Sequence, residues 1–175
     1  MEKVEDDPNA PRRALANARG FRSIREGASK KGSITDLEMT RFMISLEQGV
    51  ELVWHAFEDM MGGEIYVKKI PSMKITDIAK VIAPNAKHKI IGIRPGEKLH
   101  EQMIGLEDAN YTYQYSKHFK ILPQINDWSY DKKRIKKGIK VPKNFVYSSN
   151  LNTEWMTKSY LKKWIDTYSK NLSKF

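Results

Sequence analysis

The clearest succession of structural signals in this sequence is His88-Lys89-Ile90-Ile91-Gly92-Ile93-Arg94-Pro95-Gly96-Glu97-Lys98-Leu99-His100-Glu101. The β-branched run Lys89–Ile93 predicts a short buried strand, and Arg94-Pro95-Gly96 predicts a tight turn after it. Glu97–Ile104 is then expected to form a short helix with its apolar side chains facing inward. The stretch therefore predicts a strand that passes through a turn into a helix.

The turn places an arginine and a glutamate side by side, which suits a nucleotide ligand. Arg94 can make forked, charge-assisted hydrogen bonds to a diphosphate. Glu97 can accept hydrogen bonds from ribose hydroxyls, and Gly96 lets the backbone approach a ligand closely. The alternative is an Arg–Glu surface pair beside an ordinary turn, and the residues alone do not favour either interpretation.

Further elements are predicted on both sides of this stretch. Ser45 and Gln48 have the spacing of a capping box, and Val50, Val53, Trp54 and Phe57 follow as one apolar helical face that ends before Gly62-Gly63. Periodicity also predicts a strand over 64–70, a helix over 75–82, a strand over 119–122 and a last helix over 158–172 capped by Thr157. The predicted fold class is α/β with an α+β tendency, built from helices and a few short strands.

Length and charge suggest one domain with a basic end. The chain has 175 residues and a net charge of +10, and residues 130–175 hold 12 lysines and arginines against three acidic residues. Such a tail can attract nucleic acid or an anionic surface, but a solvated face of a lysine-rich helix is the favoured interpretation. Residues 1–33 are rich in helix breakers and are expected to be irregular, whereas 126–175 form a basic extension with a terminal helix.

Several kinds of site are not indicated. The sequence has no cysteine, its four histidines do not have zinc-binding spacing, and no glycine pair fits G-x-G-x-x-G or a P-loop. Tyr113 and Lys117 match Tyr-x-x-x-Lys, but they lie in a predicted polar loop without a cofactor motif and are interpreted as a chance match. No apolar run is long enough to span a bilayer and the first residues are acidic, so the cytoplasm is the expected compartment.

A second polar cluster lies in Ser33-Ile34-Thr35-Asp36-Leu37-Glu38-Met39-Thr40-Arg41-Phe42. Its hydroxyls, carboxylates and arginine share a short segment that is expected to be irregular, and ligand contacts are often found in such segments. A polar loop that caps the following helix is the simpler interpretation, and the residues alone favour it.

These motifs together resemble the C-terminal half of the inverting UDP-N-acetylglucosamine 4,6-dehydratases, which are extended short-chain dehydrogenase/reductase enzymes of surface-sugar and flagellin-glycan pathways. The resemblance covers about residues 31–167. The motifs that carry it are Ile34-Thr35-Asp36, Met39-Thr40-Arg41-Phe42, Ser45-Leu46-Glu47-Gln48-Gly49-Val50, Gly62-Gly63-Glu64-Ile65, Lys69-Ile70-Pro71-Ser72-Met73-Lys74-Ile75-Thr76-Asp77, Ile91–Glu101 and Phe145-Val146-Tyr147-Ser148-Ser149-Asn150.

The resemblance implies a substrate and a set of contacts. Enzymes of this family bind NADP on an N-terminal Rossmann half and a UDP-sugar between that half and a smaller C-terminal lobe. In the matching motifs, the residues that contact the UDP-sugar correspond to Thr35, Arg94 and Glu97. Residues 34–125 are accordingly expected to form a UDP-sugar-binding lobe of a polysaccharide biosynthesis protein.

The resemblance does not include the family's cofactor-binding and catalytic residues. The family's cofactor loop, its catalytic Asp-Lys pair and its Tyr-x-x-x-Lys belong to the N-terminal half, and nothing before Ser33 matches them. We therefore expect no NADP site, no metal and no catalytic residue in this chain. Three hypotheses follow: a UDP-sugar-binding lobe that is not catalytic alone; a subunit of a split dehydratase that is completed by a separate NADP-binding chain and is expected to show self-association when alone; and, as a distant third, a basic nucleic-acid or anionic-surface binder.

Overall fold

Short strands and helices alternate along the chain, and the α/β prediction is confirmed. The structure is a computed structural model that describes residues 31–125 and 131–172. Its strands are β1 (Lys31–Ile34), β2 (Thr40–Phe42), β3 (Ile65–Lys68), β4 (Ser72–Lys74), β5 (Lys87–Ile90), β6 (Gln102–Ile104), β7 (Thr112–Gln114), β8 (His118–Ile121), β9 (Ile139–Lys140) and β10 (Tyr147–Ser148). Its helices are α1 (Leu46–Asp59), α2 (Ile75–Ile82), α3 (Leu106–Ala109), α4 (Lys132–Ile135) and α5 (Lys158–Leu172).

The strands form several small sheets rather than one large sheet. The largest is antiparallel and has the order β3-β8-β7-β9. Three further pairs are β2 with β4 and β6 with β10, both antiparallel, and β1 with β5, which is parallel. The parallel pair brings two segments that are distant in sequence to the same edge.

Helix α1 begins as its sequence predicts. The backbone N–H of Gln48 donates to Oγ of Ser45 at 3.2 Å, and the backbone N–H of Ser45 donates to Oε1 of Gln48 at 3.1 Å, which completes the predicted capping box. The helix ends at Asp59, ahead of Gly62 and Gly63, which both adopt positive φ angles. The apolar face predicted for this helix is present but exposed, and no side chain of α1 is buried.

Two apolar clusters hold the fold together. One packs on the four-stranded sheet and consists of Val67, Ile104, Ala109, Phe119, Ile121, Val141 and Tyr147. The other lies where α5 packs on α2 and consists of Met43, Met73, Ile78 and Leu161. Both include residues from beyond position 126, so the region predicted as a basic C-terminal extension is packed into the same fold through β9, β10 and α5.

Two local predictions in the opening stretch are wrong. Glu97–Ile104 is not a helix: residues 98–101 are extended loop and Gln102–Ile104 form β6, which pairs with β10. A strand does precede the turn, at Lys87–Ile90, but it is exposed rather than buried. Of the segment predicted to be irregular, residues 1–30 lie outside the described residues and 31–33 belong to β1.

Candidate functional site

The candidate site lies at the carboxyl ends of the parallel strands β1 and β5. The backbone N–H of Ile91 donates to the carbonyl of Ile34 at 3.0 Å, so the pairing continues to the last residue of β1. Thr35 is the next residue along one segment, and Arg94 follows shortly after the other strand. Side chains that follow parallel strands meet at one edge of the sheet, where ligands of α/β proteins commonly bind.

The turn after β5 is closed by Glu97. Its backbone N–H donates to the carbonyl of Arg94 at 3.0 Å, and its carboxylate Oε2 accepts from the backbone N–H of Arg94 at 3.2 Å. Oγ1 of Thr35 donates to the other oxygen, Oε1, at 3.5 Å, a long contact at the limit of a hydrogen bond. Gly96 has a φ of 81°, a conformation that favours glycine and lets the turn reverse sharply.

This geometry brings Thr35 and Glu97 together and leaves the Arg94 side chain exposed. Between residues 31 and 125, no ion pair joins the guanidinium of Arg94 to the carboxylate of Glu97. The guanidinium is accessible to an anion beside a carboxylate and a hydroxyl. An arginine fork next to a hydrogen-bond acceptor fits a phosphate ester that also carries hydroxyl groups.

Arg41, on β2, fixes the loop that follows the turn. Its Nη1 donates to the carbonyl of Leu99 at 3.1 Å and its Nη2 to the carbonyl of Lys98 at 2.9 Å, while its Nε lies 3.4 Å from Oε1 of Glu101. The backbone N–H of Thr40 also donates to the carbonyl of Leu99 at 3.1 Å. Sequence reasoning assigned no role to Arg41. Its signals were its place in the polar cluster 33–42 and in the motif Met39-Thr40-Arg41-Phe42, and its partners lie 57 and 58 residues away.

A hydroxyl network continues from Arg41 into the interior. Oγ1 of Thr40 lies 2.8 Å from Nδ1 of His100 and 2.6 Å from Oγ of Ser149. Oγ of Ser149 in turn accepts from the backbone N–H of Glu101 at 2.9 Å. The motifs around Thr40, His100 and Ser149 therefore meet in space, and together they hold the loop behind the candidate site.

The described residues do not fit the diphosphate of NADP. Such a site needs a glycine-rich loop between a strand and the amino end of a helix. Here β4 runs directly into α2, and β2 is joined to α1 by Met43-Ile44-Ser45, which contains no glycine. β6 is joined to α3 by the single Gly105, and α3 has only four residues. We assign no cofactor-binding residue within the described ranges, and no group of three potential metal ligands occurs there.

A second cluster of ionisable groups lies apart from this site, around Asp59 at the end of α1. The carboxylate of Asp59 accepts from the hydroxyl of Tyr66 at 2.7 Å and from Nζ of Lys136 at 2.5 Å, and it forms an ion pair with the fully buried Lys120. Nζ of Lys120 also donates to the carbonyl of Arg134 at 2.9 Å. Burial acts to raise the pKa of Asp59, but the hydrogen bonds from Lys120, Lys136 and Tyr66 outweigh it and lower that pKa far below its usual range.

His118 is buried beside this cluster. Its ring stacks on Tyr115 with a centroid separation of 4.6 Å and lies 4.6 Å from the ring of His55, and its Nε2 has no hydrogen-bond partner. Burial, followed by the nearby His55 and Lys120, lowers the pKa of His118 to about 4. Burial likewise raises the pKa of Tyr115 to about 12. These groups are tied to one another in the interior, which indicates a structural role.

Part of the basic C-terminal region is paired with the body of the protein. Arg134 contacts the buried Glu64 at 2.5 Å, and Lys158 contacts Asp77 at 2.9 Å. Lys136, as noted, pairs with Asp59. These cations stabilise contacts within the fold instead of forming a free basic arm. None of the helices in the described ranges has the length and apolar character required to cross a membrane.

Comparison with known proteins supports the resemblance seen in the motifs. The sequence profile of the family described as polysaccharide biosynthesis protein matches residues 21–123. The chain is 51% identical over 144 residues to a UDP-N-acetylglucosamine 4,6-dehydratase (inverting) of Campylobacter jejuni, an alignment that covers 79% of this chain and 42% of that protein. It is 34% identical over 144 residues to a UDP-glucose 4-epimerase of Rickettsia akari, with 80% of this chain and 41% of that protein covered.

The fold is also similar to a solved structure. The X-ray structure of Pen from Bacillus thuringiensis superposes with a TM-score of 0.70 at 24% sequence identity, over 87% of this chain and 45% of that one. This chain thus spans less than half the length of each of these relatives. The profile match covers more than half of the present sequence and includes Thr35, Arg94 and Glu97. The chain therefore belongs to the polysaccharide biosynthesis protein family.

Proposed function

We propose that this chain binds a UDP-sugar as the substrate-binding part of a protein similar to the inverting UDP-N-acetylglucosamine 4,6-dehydratases. The observation that carries the proposal is the meeting of Thr35, Arg94 and Glu97 at the carboxyl ends of β1 and β5. The relationship to the Campylobacter jejuni dehydratase, at 51% identity over the matched residues, supports the choice of a UDP-sugar over other phosphate esters.

Each of the three residues has a distinct role in this proposal. The exposed guanidinium of Arg94 binds the diphosphate with two parallel hydrogen bonds. The carboxylate of Glu97, held by the backbone N–H of Arg94, accepts hydrogen bonds from the ribose hydroxyls. The hydroxyl of Thr35 is shared between Glu97 and the ligand.

The proposal assigns no step of the dehydratase reaction to this chain. Hydride transfer requires a bound nicotinamide, and removal of water requires an acid and a base beside the sugar. The described residues around Arg94 provide binding groups and a hydroxyl network behind the loop. The chain is proposed to bind and orient the nucleotide.

Replacing Arg94 tests the proposal directly. We expect Arg94→Ala to weaken binding of UDP and of UDP-N-acetylglucosamine by roughly 10- to 150-fold, because a hydrogen bond to a charged group contributes about 1.5–3 kcal/mol. Isothermal titration calorimetry measures both affinities, with NADP as a parallel ligand for which no binding is expected.

Lys87→Ala is the matched control, because it removes one positive charge from the opposite end of β5. A loss of affinity shared by both variants would indicate general electrostatic attraction instead of a site. Saturable binding that is unchanged in a folded Arg94→Ala variant would exclude Arg94 from the site, and no UDP binding by the folded parent chain would contradict the proposed function.

A further inference from the structure

Helix α1 carries an apolar surface that nothing in the described structure covers. Its exposed apolar side chains have fractional exposures of 74% for Leu46, 46% for Val50, 53% for Val53, 65% for Trp54 and 65% for Phe57. They line one continuous shallow groove together with Ile44 and Gly49. We refer to Leu46, Val50, Val53, Trp54 and Phe57 as the α1 face.

The α1 face is unusual because the helix is otherwise well built. Amphipathic helices in proteins gain most of their stability by packing an apolar side, and α1 has 14 residues with none buried. Polar and aromatic contacts attach the helix to the sheet instead. Nζ of Lys68 donates to the carbonyl of Gln48 at 3.0 Å, the ring of His55 lies 5.9 Å from that of Tyr66, and Asp59 forms an ion pair with Lys120. Contiguous exposed apolar patches of this kind mark interaction sites.

The strand next to α1 supports the same conclusion. Strand β3 follows α1 in the chain and stands at one edge of the four-stranded sheet, where it pairs only with β8 within the described residues. Its first residue, Ile65, is 59% exposed. Proteins usually cover an open strand edge, since its unpaired backbone groups would otherwise recruit other chains.

The lengths of the relatives indicate what covers this surface. The Campylobacter jejuni dehydratase is matched over only 42% of its length, so more than half of it lies outside the region that this chain resembles. We propose that the α1 face is the docking surface for a folded protein segment equivalent to that unmatched part. The inference rests on the same family relationship as the proposed function, but it does not depend on the UDP-sugar site.

The absence of cysteine from the sequence allows a direct test. Val53→Cys introduces one thiol in the α1 face, and Ile139→Cys is the matched control, because Ile139 is 73% exposed on β9 at the opposite edge of the sheet. Each variant is studied alone and in two assemblies. The first is a complex, in which the variant chain is co-expressed with the unmatched portion of the Campylobacter jejuni 4,6-dehydratase. The second is a fusion, in which the variant chain replaces the matched portion of that enzyme.

The rate of maleimide labelling at each position is read by peptide mass spectrometry. We expect Val53→Cys to react at least tenfold more slowly in either assembly than in the chain alone, and Ile139→Cys to react at the same rate throughout. We also expect Trp54→Ser to reduce co-purification with the Campylobacter portion at least tenfold, because aromatic side chains dominate binding at interfaces, whereas Ile139→Ser leaves it unchanged.

Three results would overturn the proposal. The first is an unchanged rate for Val53→Cys in the soluble fusion. The second is protection in the chain alone that increases with its concentration, which would assign the α1 face to a second copy. The third is protection in the chain alone that is lost when residues 1–30 are removed, which would assign it to that segment. None of these readouts involves UDP, so they separate failure of docking from failure of the proposed function.

Discussion

Arg41 shows how a single side chain on one strand can fix a loop that lies almost 60 residues away in the sequence. Its guanidinium binds the carbonyls of Lys98 and Leu99 and lies beside Glu101, and these residues directly follow Glu97. A lysine at this position would keep the positive charge but could not reproduce the planar guanidinium that donates to both carbonyls. Arg41 is therefore a positioning residue in the proposed site.

We expect Arg41→Lys to weaken UDP-N-acetylglucosamine binding about fivefold, since it removes roughly 1 kcal/mol of hydrogen bonding from the loop that carries Glu97. Trypsin should also cleave faster after Lys98 in the absence of ligand, because the released loop is more accessible. Lys74→Ala is the control. Lys74 lies on β4, the strand that pairs with β2, and its side chain makes an exposed ion pair with Glu38. Unchanged affinity and unchanged cleavage would show that Arg41 does not position the loop.

His118 makes the stability of the protein depend on pH. Its pKa is lowered from 6.5 to about 4 in the folded state, so the neutral form is favoured by folding. The stability that this contributes is present above pH 6.5 and is lost as the pH falls toward 4. The ionisable groups around the ring are His55 and Asp59 from α1, Tyr66 from β3, and Tyr115, Lys120 and Lys69.

The free energy of unfolding should therefore fall by about 2–3 kcal/mol between pH 7 and pH 4.5 through His118 alone. In His118→Phe, which keeps an aromatic ring against Tyr115, that part of the decrease should disappear. Urea denaturation at several pH values provides the measurement. Asp59 and Glu64 interfere little, because their ordinary pKa values of 3.8 and 4.5 lie at or below the lower end of this window and the stability they contribute is lost only at lower pH. An identical pH dependence in both proteins would rule out His118 as the cause.

The binding residues were accessible from sequence because each lies in a local motif. Arg94 and Glu97 share one turn, and their chemistry could be read from residue type and spacing, whereas Thr35 required the family resemblance. Their role in binding stays a prediction, although the structure does bring Thr35 to Glu97. Arg41 was missed because its role depends on carbonyl groups almost 60 residues away, and no local pattern reports such a contact.

Among the elements, α1 is held to the sheet by polar and aromatic contacts along its length, including those of Gln48, His55 and Asp59. The carboxylate of Asp59 joins the end of the helix to Lys120 on β8 and to Tyr66 on β3. Breaking a buried ion pair by removing one partner is strongly destabilising, because the other charge is left without compensation.

Asp59→Asn should lower the free energy of unfolding by about 3–5 kcal/mol, since it leaves the ammonium of Lys120 buried without its counter-charge. The exposed neighbouring residue provides the control, and Glu58→Gln should change stability by less than about 0.5 kcal/mol. Chemical denaturation monitored by circular dichroism compares the two. Equal effects would mean that Asp59 contributes no more than a surface charge.

The errors at this scale have a common physical cause. Apolar residues at helical spacing favoured a helix over 97–104. In the structure, however, the carbonyls of Lys98 and Leu99 accept hydrogen bonds from Arg41, and β6 pairs with β10. Tertiary partners thus override a weak local preference. By contrast, α1 is predicted correctly because its capping box lies within four consecutive residues.

For the whole molecule, the C-terminal helix is part of the core. Leu161 of α5 is only 1% exposed and packs with Ile78 of α2 and with Met43 and Met73. Arg134, Lys136 and Lys158 connect the same region to carboxylates elsewhere in the chain. These three basic side chains therefore contribute to the contacts that hold the C-terminal region in the fold.

Leu161→Ala should destabilise the protein by roughly 2–5 kcal/mol, because it removes a buried aliphatic side chain and leaves a cavity between α5 and α2. Lys162→Ala, at the exposed next position, should have little effect. Thermal unfolding followed by calorimetry distinguishes them. A melting temperature that is the same for both variants would show that α5 is an independent appendage.

The parallel pairing of β1 with β5 also has a kinetic and thermodynamic consequence. Thr35 and Glu97 are 62 residues apart, so the two sides of the site meet only after a long loop has closed, whereas the β7–β8 hairpin forms from neighbours. Apparent affinity falls in proportion to the fraction of molecules in which both sides are in place. For the proposed UDP site, a substitution far from Arg94 that unfolds a sizeable fraction of the molecules is therefore expected to weaken the apparent affinity.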